Sequence, residues 1–423
     1  STQGVSSAAS DVYKRQKYGH NCNKQVWGLW ADNNRQIWLG GEGELGIYKE
    51  GKEIEIIPLN QCRLNKQTHI SVIHQDKHGD LWLGTHKHGV AIYHPDTKRI
   101  TCIGDDKDGS LDILCFYEDT DGKIWIGTQS GLYSAYNREL TQEDKINRLL
   151  TNKGIRSILR DKNGKLWIGA KGLFLFDDKG QLFQELTTEQ SFPIRSVNYL
   201  MEDSRKRIWV GTNDGILVFR DASHLEDYSH YGTKEGLQNT NVRAIQEDHD
   251  GTIWLSTNAG ISRLDEKTKT FYNYNHYDGV PMGDFMDGST CISTDGILYF
   301  GSQGGACYFT PGEVNSIRKP APVTITQFSI YDKQTESKDT EHPLPLTDAN
   351  IQLPYNQNTF KISFNVLDYA ISSQVEFSYI LEGLENTWYN TQGEKQIIFR
   401  NIPPGHYTFK VKTRLRNQEW EKD

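Results

Sequence analysis

The sequence predicts an all-β chain, a seven-bladed β-propeller followed by an immunoglobulin-like β-sandwich, on three observations. A motif centred on tryptophan recurs about every 43 residues. Each copy divides at turn-forming residues into four short strands, and after Pro311 the recurrence gives way to strict two-residue alternation.

The motif reads Asp-Leu-Trp-Leu-Gly-Thr up to Thr85, Lys-Ile-Trp-Ile-Gly-Thr up to Thr128, Lys-Leu-Trp-Ile-Gly-Ala up to Ala170, Arg-Ile-Trp-Val-Gly-Thr up to Thr212 and Thr-Ile-Trp-Leu-Ser-Thr up to Thr257. Trp38 opens the series and Tyr299 takes the tryptophan position in the seventh copy. An apolar run such as Val242 to Glu247 is strand a of a blade, and the tryptophan run is strand b. The turn between them is marked by His78-Gly79, Asp121-Gly122, Asn163-Gly164 or Asp250-Gly251. Asn34-Arg35 and Arg205-Lys206 replace those pairs in the first and fifth copies, so a different turn is expected there. One tryptophan per blade at one position is what packing between blades requires, and the glycine two residues later suits close approach of chain segments. The recurrent Asp76, Asp119, Asp161, Asp203 and Asp248 are read as turn residues that bind nearby backbone N–H groups.

Three strands of the last copy fit between Cys291 and Thr310, and Lys17 to Gln25 is expected to clasp the ring as its missing strand. Ser1 to Gln16 has neither the basic start nor the apolar stretch of a secretory signal and is read as a leader foreign to the fold. Pro320-Ala321-Pro322 marks a boundary. Beyond it Phe360, Ile362, Phe364 and Val366 alternate, then Val375, Phe377, Tyr379 and Leu381, then Tyr407, Phe409, Val411 and Thr413. The division expected is therefore a leader over 1–16, a propeller over 17–314 and a sandwich over 320–423, cut short at its C-terminal end.

With 47 basic against 55 acidic residues the chain lacks the diffuse positive field that draws proteins to nucleic acid. Apolar runs are far too short to cross a bilayer. The six cysteines form no C-x-x-C pair and are read as buried free thiols, with a facing pair of Cys291 and Cys307 left open. His86 and His88 are two apart and the other histidines are scattered, so no metal or other cofactor is expected. Asp214 and Asp284 fall on candidate loops, but nothing in the sequence pairs them as glycoside hydrolysis needs, and the chain is not read as an enzyme.

In a four-stranded blade the b–c turns and d–a connections share one face at the mouth of the channel. The candidate ligand-binding residues on that face are His86, His88, Asn213, Asp214 and Asn258 from b–c turns, His276 and Tyr277 from a d–a loop, and Trp27, Arg156, Asn198 and Arg243 from the second position of strand a. Such a set suits sugar hydroxyls and a sugar face, and the two arginines suit a carboxylate or sulfate.

The pattern E-D-x-x-G-x-[IL]-W-[IVL]-G-T-x-x-G-[IL], clearest from Glu118 to Leu132 and from Glu202 to Ile216, resembles the two-component regulator propeller repeat. Tyr369, Tyr379, Leu381-Glu382-Gly383, Trp388 and Pro403-Pro404-Gly405-His406-Tyr407-Thr408-Phe409 resemble the three-tyrosine domain that follows such propellers. The resemblance implies the extracytoplasmic, periplasmic sensor region of a hybrid two-component system of Bacteroidetes. The implied parent is a membrane-anchored histidine kinase. An oligosaccharide ligand would act by rearranging sandwich domains within a homodimer. Two other functions stand beside this one: a structural platform whose ligand sits in a further propeller, and an extracellular polysaccharide hydrolase or lyase.

Overall fold

A run such as Leu-Trp-Ile-Gly-Ala has no polar side chain for solvent on either face, so it is stable as a strand only between two other sheets. A computed structural model describes residues 25–50, 52–104, 111–147, 149–150, 153–177, 179–188, 192, 194–314, 323–331, 341–344, 350–366, 375–391, 393–415 and 420. These residues fall into two compact units, one ending at Val314 and the other starting at Val323.

The first unit holds seven successive antiparallel sheets among the described residues, one per repeat, each pairing its strands in chain order. The inner strands a are Gly28–Ala31, Ile70–Gln75, Ile113–Glu118, Ser157–Arg160, Val197–Glu202, Val242–Glu247 and Phe285–Ile292. All five residues of the tryptophan strands Leu81–Thr85, Ile124–Thr128, Leu166–Ala170, Ile208–Thr212 and Ile253–Thr257 are buried. Hydrophobic clusters lie between sheets rather than within them. One, for example, joins Trp167 and Leu175 of the fourth blade to Val197, Val210 and Phe219 of the fifth.

The recurrent aspartates do two jobs, one of them foreseen. One carboxylate oxygen accepts backbone N–H groups of the a–b turn, as Asp161 does from Asn163 and Lys165 at 2.9 Å each. The other accepts the indole N–H of the tryptophan six residues on, at 2.8–3.2 Å, in six blades: Asp32–Trp38, Asp76–Trp82, Asp119–Trp125, Asp161–Trp167, Asp203–Trp209 and Asp248–Trp254. A buried indole N–H without a partner would be costly, so the aspartate anchors the ring while it shapes the turn. In the seventh blade Tyr299 has no indole N–H to offer, and the acceptor has changed with it. Ser293 serves the turn alone, its Oγ accepting the Ile297 N–H at 3.1 Å.

Burial pushes the Asp119 carboxyl up, but bonds from Trp125, the Thr120 N–H and Arg160 outweigh it and hold the group below its usual range. A depressed carboxyl stabilises the fold above its unfolded value and loses that contribution as pH falls through the folded one. The stability advantage of the native protein over Asp119→Asn should thus be full at neutral pH and disappear below pH ~4. Chemical denaturation at several pH values checks this. An advantage that grows on acidification would refute it.

Where a different turn was expected, the same one is found. Arg35 and Lys206 take the left-handed conformation, with φ of 59° and 68°, at the place of Gly79 and Gly122. Asp32 and Asp203 bind the turn N–H groups as in the other blades. The aspartate, not glycine, dictates this turn, and a non-glycine residue bears a cost of about 1–2 kcal/mol for the left-handed φ. The repeated glycine after tryptophan has the steric reason expected. A Cβ on Gly84 would lie 2.5 Å from Val72 Cγ1 of its own strand a and 2.7 Å from Ile113 Cγ2 of the next blade.

Blade-to-blade joints repeat one hydrogen bond. A residue at the start of strand a or two positions ahead of it donates its N–H to the carbonyl of the residue three past the preceding tryptophan, Ile70 to Gly41 at 3.1 Å and Ile155 to Thr128 at 3.0 Å. Val26 donates to Ser302 at 3.1 Å in the same way, so the last blade is joined to the first. The expected clasp of residues 17–24 and the leader over 1–16 lie outside the described residues. The last strand a begins at Phe285, ahead of Cys291, because residues Met286 to Ser289 form a wide bulge: Phe285 pairs with Ser302 and Thr290 with Phe300.

The reading of the cysteines as free thiols is corrected for two of them. Cys62, in the loop leaving the first blade, forms a disulfide with Cys102 at the end of the outer strand of the second. The flanking residues are held alike, Gln61 accepting the Ile100 N–H at 2.8 Å and Arg63 donating to the Ile103 carbonyl at 2.7 Å. The loop thus lies along an otherwise open sheet edge, which a reading of spacing alone misses. Cys115, Cys291 and Cys307 are free and buried, and burial pushes the Cys115 thiol up to about 12.

The second unit packs two sheets, Glu341–Leu344, Val323–Tyr331, Phe360–Val366 and Gln396–Phe399 in one, Tyr389–Asn390, Val375–Glu382 and Thr408–Leu415 in the other. Phe360, Ile362, Phe364, Val366, Val375 and Phe377 form its core as their alternation predicts. The alternation continues through Tyr379, whose ring lies 6.0 Å from Phe399 and 6.2 Å from Phe409, to the buried Leu381, while Ser378 on the other face of the strand donates to the Tyr389 carbonyl at 3.1 Å. Tyr407 donates its hydroxyl to the Pro403 carbonyl at 2.9 Å, fixing the proline-rich turn before the last strand.

Candidate ligand-binding face

Hydrogen bonds place the b–c turns and d–a connections on one face. Gly43, Gly89 and Gly215 of b–c turns donate their N–H groups to Thr68, Leu111 and Thr240 of d–a connections at 2.8–3.1 Å. The candidate residues divide there into two arcs.

The first arc spans blades four to seven. Arg243 donates through Nε to Asn258 and through Nη1 to Asp287, both at 2.7 Å. Arg156 reaches Asn198 at 3.0 Å and the other oxygen of Asp287 at 3.7 Å. Asn198, fully buried, passes its amide N–H groups to Asn213, Asn241 and the Val242 carbonyl at 2.8–3.0 Å. Both arginines expected to meet an anion therefore meet one of the protein's own. Asp287 escaped the sequence reading because it sits in the bulge of the last strand a, where the spacing of the other blades gives no register. Asp287 and Arg156 are each more than a third exposed along their side chains, so the network is open to solvent.

The second arc spans blades one to three. His86 Nδ1 lies 3.0 Å from Asp112, which also accepts the Lys87 N–H at 2.7 Å. The His69 ring stands edge-on to Trp27 at 5.8 Å, near His86 at 6.4 Å, with Nε2 3.6 Å from Glu42. His88 bonds the His86 carbonyl at 3.0 Å and Asn65 at 3.4 Å. The indole N–H of Trp27 is buried without a hydrogen-bond partner among the described residues. His69 and Asp112 were missed, although each immediately precedes the first residue of a strand a, and that position could have been searched.

The remaining candidates join neither arc. Asp214 is exposed; its N–H donates to Thr212 Oγ1 and its carbonyl meets His230. Asp284 accepts the Gln303 N–H through its carbonyl, and no hydrogen bond or ion pair links the two aspartates among the described residues. His276 and Tyr277 lie in the one-turn helix His276–Asp278. No group of three His, Cys, Asp or Glu able to hold a metal occurs among the described residues.

Comparison with known families adds to this geometry. The model described as two component regulator propeller matches residues 109–130, 149–172, 191–214 and 236–259, and the model described as Y_Y_Y domain matches residues 368–423. The chain is a regulator propeller followed by a Y_Y_Y domain. Over 97% of its length this propeller and Y_Y_Y pair is 35% identical to the extracellular domain of a putative hybrid two component system from B. thetaiotaomicron, with a TM-score of 0.88, and covers 56% of that chain. Histidine kinase P4 of Formosa agariphila is 27% identical over 189 residues, 44% of this chain and 14% of the kinase. The chain thus spans little more than half of the first relative and a small part of the second. It has the architecture of an extracellular sensor domain of a hybrid two-component system. An inactive variant of virginiamycin B lyase from Staphylococcus aureus shares the propeller fold alone, at 11% identity and a TM-score of 0.56 over 70% of this chain and 99% of that one.

Proposed function

We propose that the regulator propeller binds an acidic glycan fragment on its channel face, in the periplasm, and that binding is relayed through Y_Y_Y domains paired in a homodimer to a membrane-anchored histidine kinase. The observation that carries the reading is the convergence of Arg156 and Arg243 on one carboxylate, Asp287, from three blades. A ligand carboxylate or sulfate can take the place of Asp287 between the two guanidinium groups, which are suited to planar anions. Displacement frees the bulge of the last strand a. That gives the ligand the differential affinity for two arrangements that signalling requires. The part-exposed rings of His69 and His86 offer polar groups for sugar hydroxyls across the channel.

Calorimetry with sulfated or uronic-acid oligosaccharides and neutral ones of equal length tests the reading. Arg156→Ala with Arg243→Ala should weaken acidic-ligand binding roughly tenfold or more. Asp287→Ala should strengthen it, since the internal competitor is gone. Loss of affinity in Asp287→Ala, or no binding to any acidic glycan by folded protein, overturns the proposal. The second outcome favours a structural platform, a reading that the self-satisfied arginine network also supports.

A further inference from the structure

A cleft of about 490 Å³ opens between the second and third blades, beside the a–b and c–d turns, on the side of the ring opposite the channel face discussed above. It exists because the third blade turns from Tyr136 to Glu139 through only Asn137 and Arg138, both left-handed, whereas the other described c–d turns use four residues or more. Trp82, itself buried, closes the cleft's inner end. Arg138 pairs with Asp80, which also bonds His94 at 2.8 Å, so the turn is fixed to the second blade and the cleft is preformed.

The polar groups around this space are unequal in what they have left to give. Asp76 is used up by its turn and by Trp82. Glu118 spends Oε2 on His74 at 3.1 Å, and its Oε1 accepts no hydrogen bond among the described residues. Lys77, His78, Tyr136 and Asn137 make no side-chain hydrogen bond or ion pair among the described residues, and the Tyr136 ring is 55% exposed. The inventory is an acceptor carboxylate at depth, amine, imidazole and amide groups at the rim, and an open aromatic face. We propose that this cleft is a second binding site, for a neutral sugar unit. Hydroxyls on both edges of a sugar ring match the mixture of donors and acceptor, its C–H face matches Tyr136, and the volume suits one or two rings. Carboxylates at the inner end disfavour an anion, which separates this site from the arginine network.

Saturation-transfer NMR with D-glucose, D-galactose and D-mannose, each with the whole 423-residue chain, tests the site. Transfer to at least one sugar is expected, with the dissociation constant raised about tenfold or more by Tyr136→Ala and by Lys77→Ala. Both side chains are exposed, so circular dichroism should show an intact fold. Asp287→Ala should leave sugar binding here unchanged, whatever it does to acidic ligands. Absence of transfer to all three sugars, or native affinity in Tyr136→Ala, overturns the assignment and leaves the channel-face reading untouched.

Discussion

Trp209→Ala is expected to destabilise the propeller by about 3–5 kcal/mol, the range for emptying a large aromatic from a core. The indole is wholly inaccessible and packs with Val242, Ile245 and Leu255 of the following blade. Its loss also leaves Asp203, whose carboxylate is shut off from solvent, without the 2.8 Å indole bond, although Arg207 at 2.6 Å still serves the same oxygen. Trp209→Phe keeps most of the packing and should fall between the two, which separates the cavity from the hydrogen bond. The denaturant midpoint and its slope measure both. An unchanged midpoint for Trp209→Ala would show that the indole is not wedged between blades and would reopen a role for the repeated tryptophans in ligand stacking.

Reduction of the Cys62–Cys102 disulfide, or its replacement by serines, should cost about 4 kcal/mol on the chain-entropy account for a loop of this length. The two cysteines are 40 residues apart in sequence and tie the exit loop of one blade to the outer strand of the next. Because the Gln61 and Arg63 contacts remain, local order should survive while the global midpoint drops. Equal unfolding curves with and without reductant, in protein whose oxidised state is verified by mass spectrometry, would refute the assignment. A disulfide between neighbouring blades also accords with an oxidising compartment, outside the cytoplasm.

The propeller was legible because its signals are local and repeated: a tryptophan, a glycine two residues later and an aspartate six residues earlier need only a window within one blade. The sandwich core was legible from period-two alternation, which holds from Val375 through Tyr379 because the ladder of that strand carries no bulge. What stayed hidden is one bond within each blade and the contacts that join residues of different blades. The Trp–Asp bonds lay in plain view as a fixed spacing, yet the aspartate had a sufficient local explanation. Cys62 and Cys102 sit in the variable loop and outer strand, where no repeat fixes a register. Of the candidate site, the face and both arginines were legible, but their partner Asp287 lies where a bulge suspends the repeat.

The Val26–Ser302 joint has a consequence for the order in which the polypeptide acquires structure. Leu29, Ile37, Leu39 and Tyr48 of the first blade pack against Cys291 and Tyr299 of the last. On a ribosome adding about 5–20 residues per second, that apolar flank waits on the order of 10–50 s for its cover. Every other blade receives its neighbour within one repeat. The first sheet is therefore the part of the nascent chain with the longest need of chaperone protection, and a stalled or truncated product lacking the last sheet would expose the flank permanently.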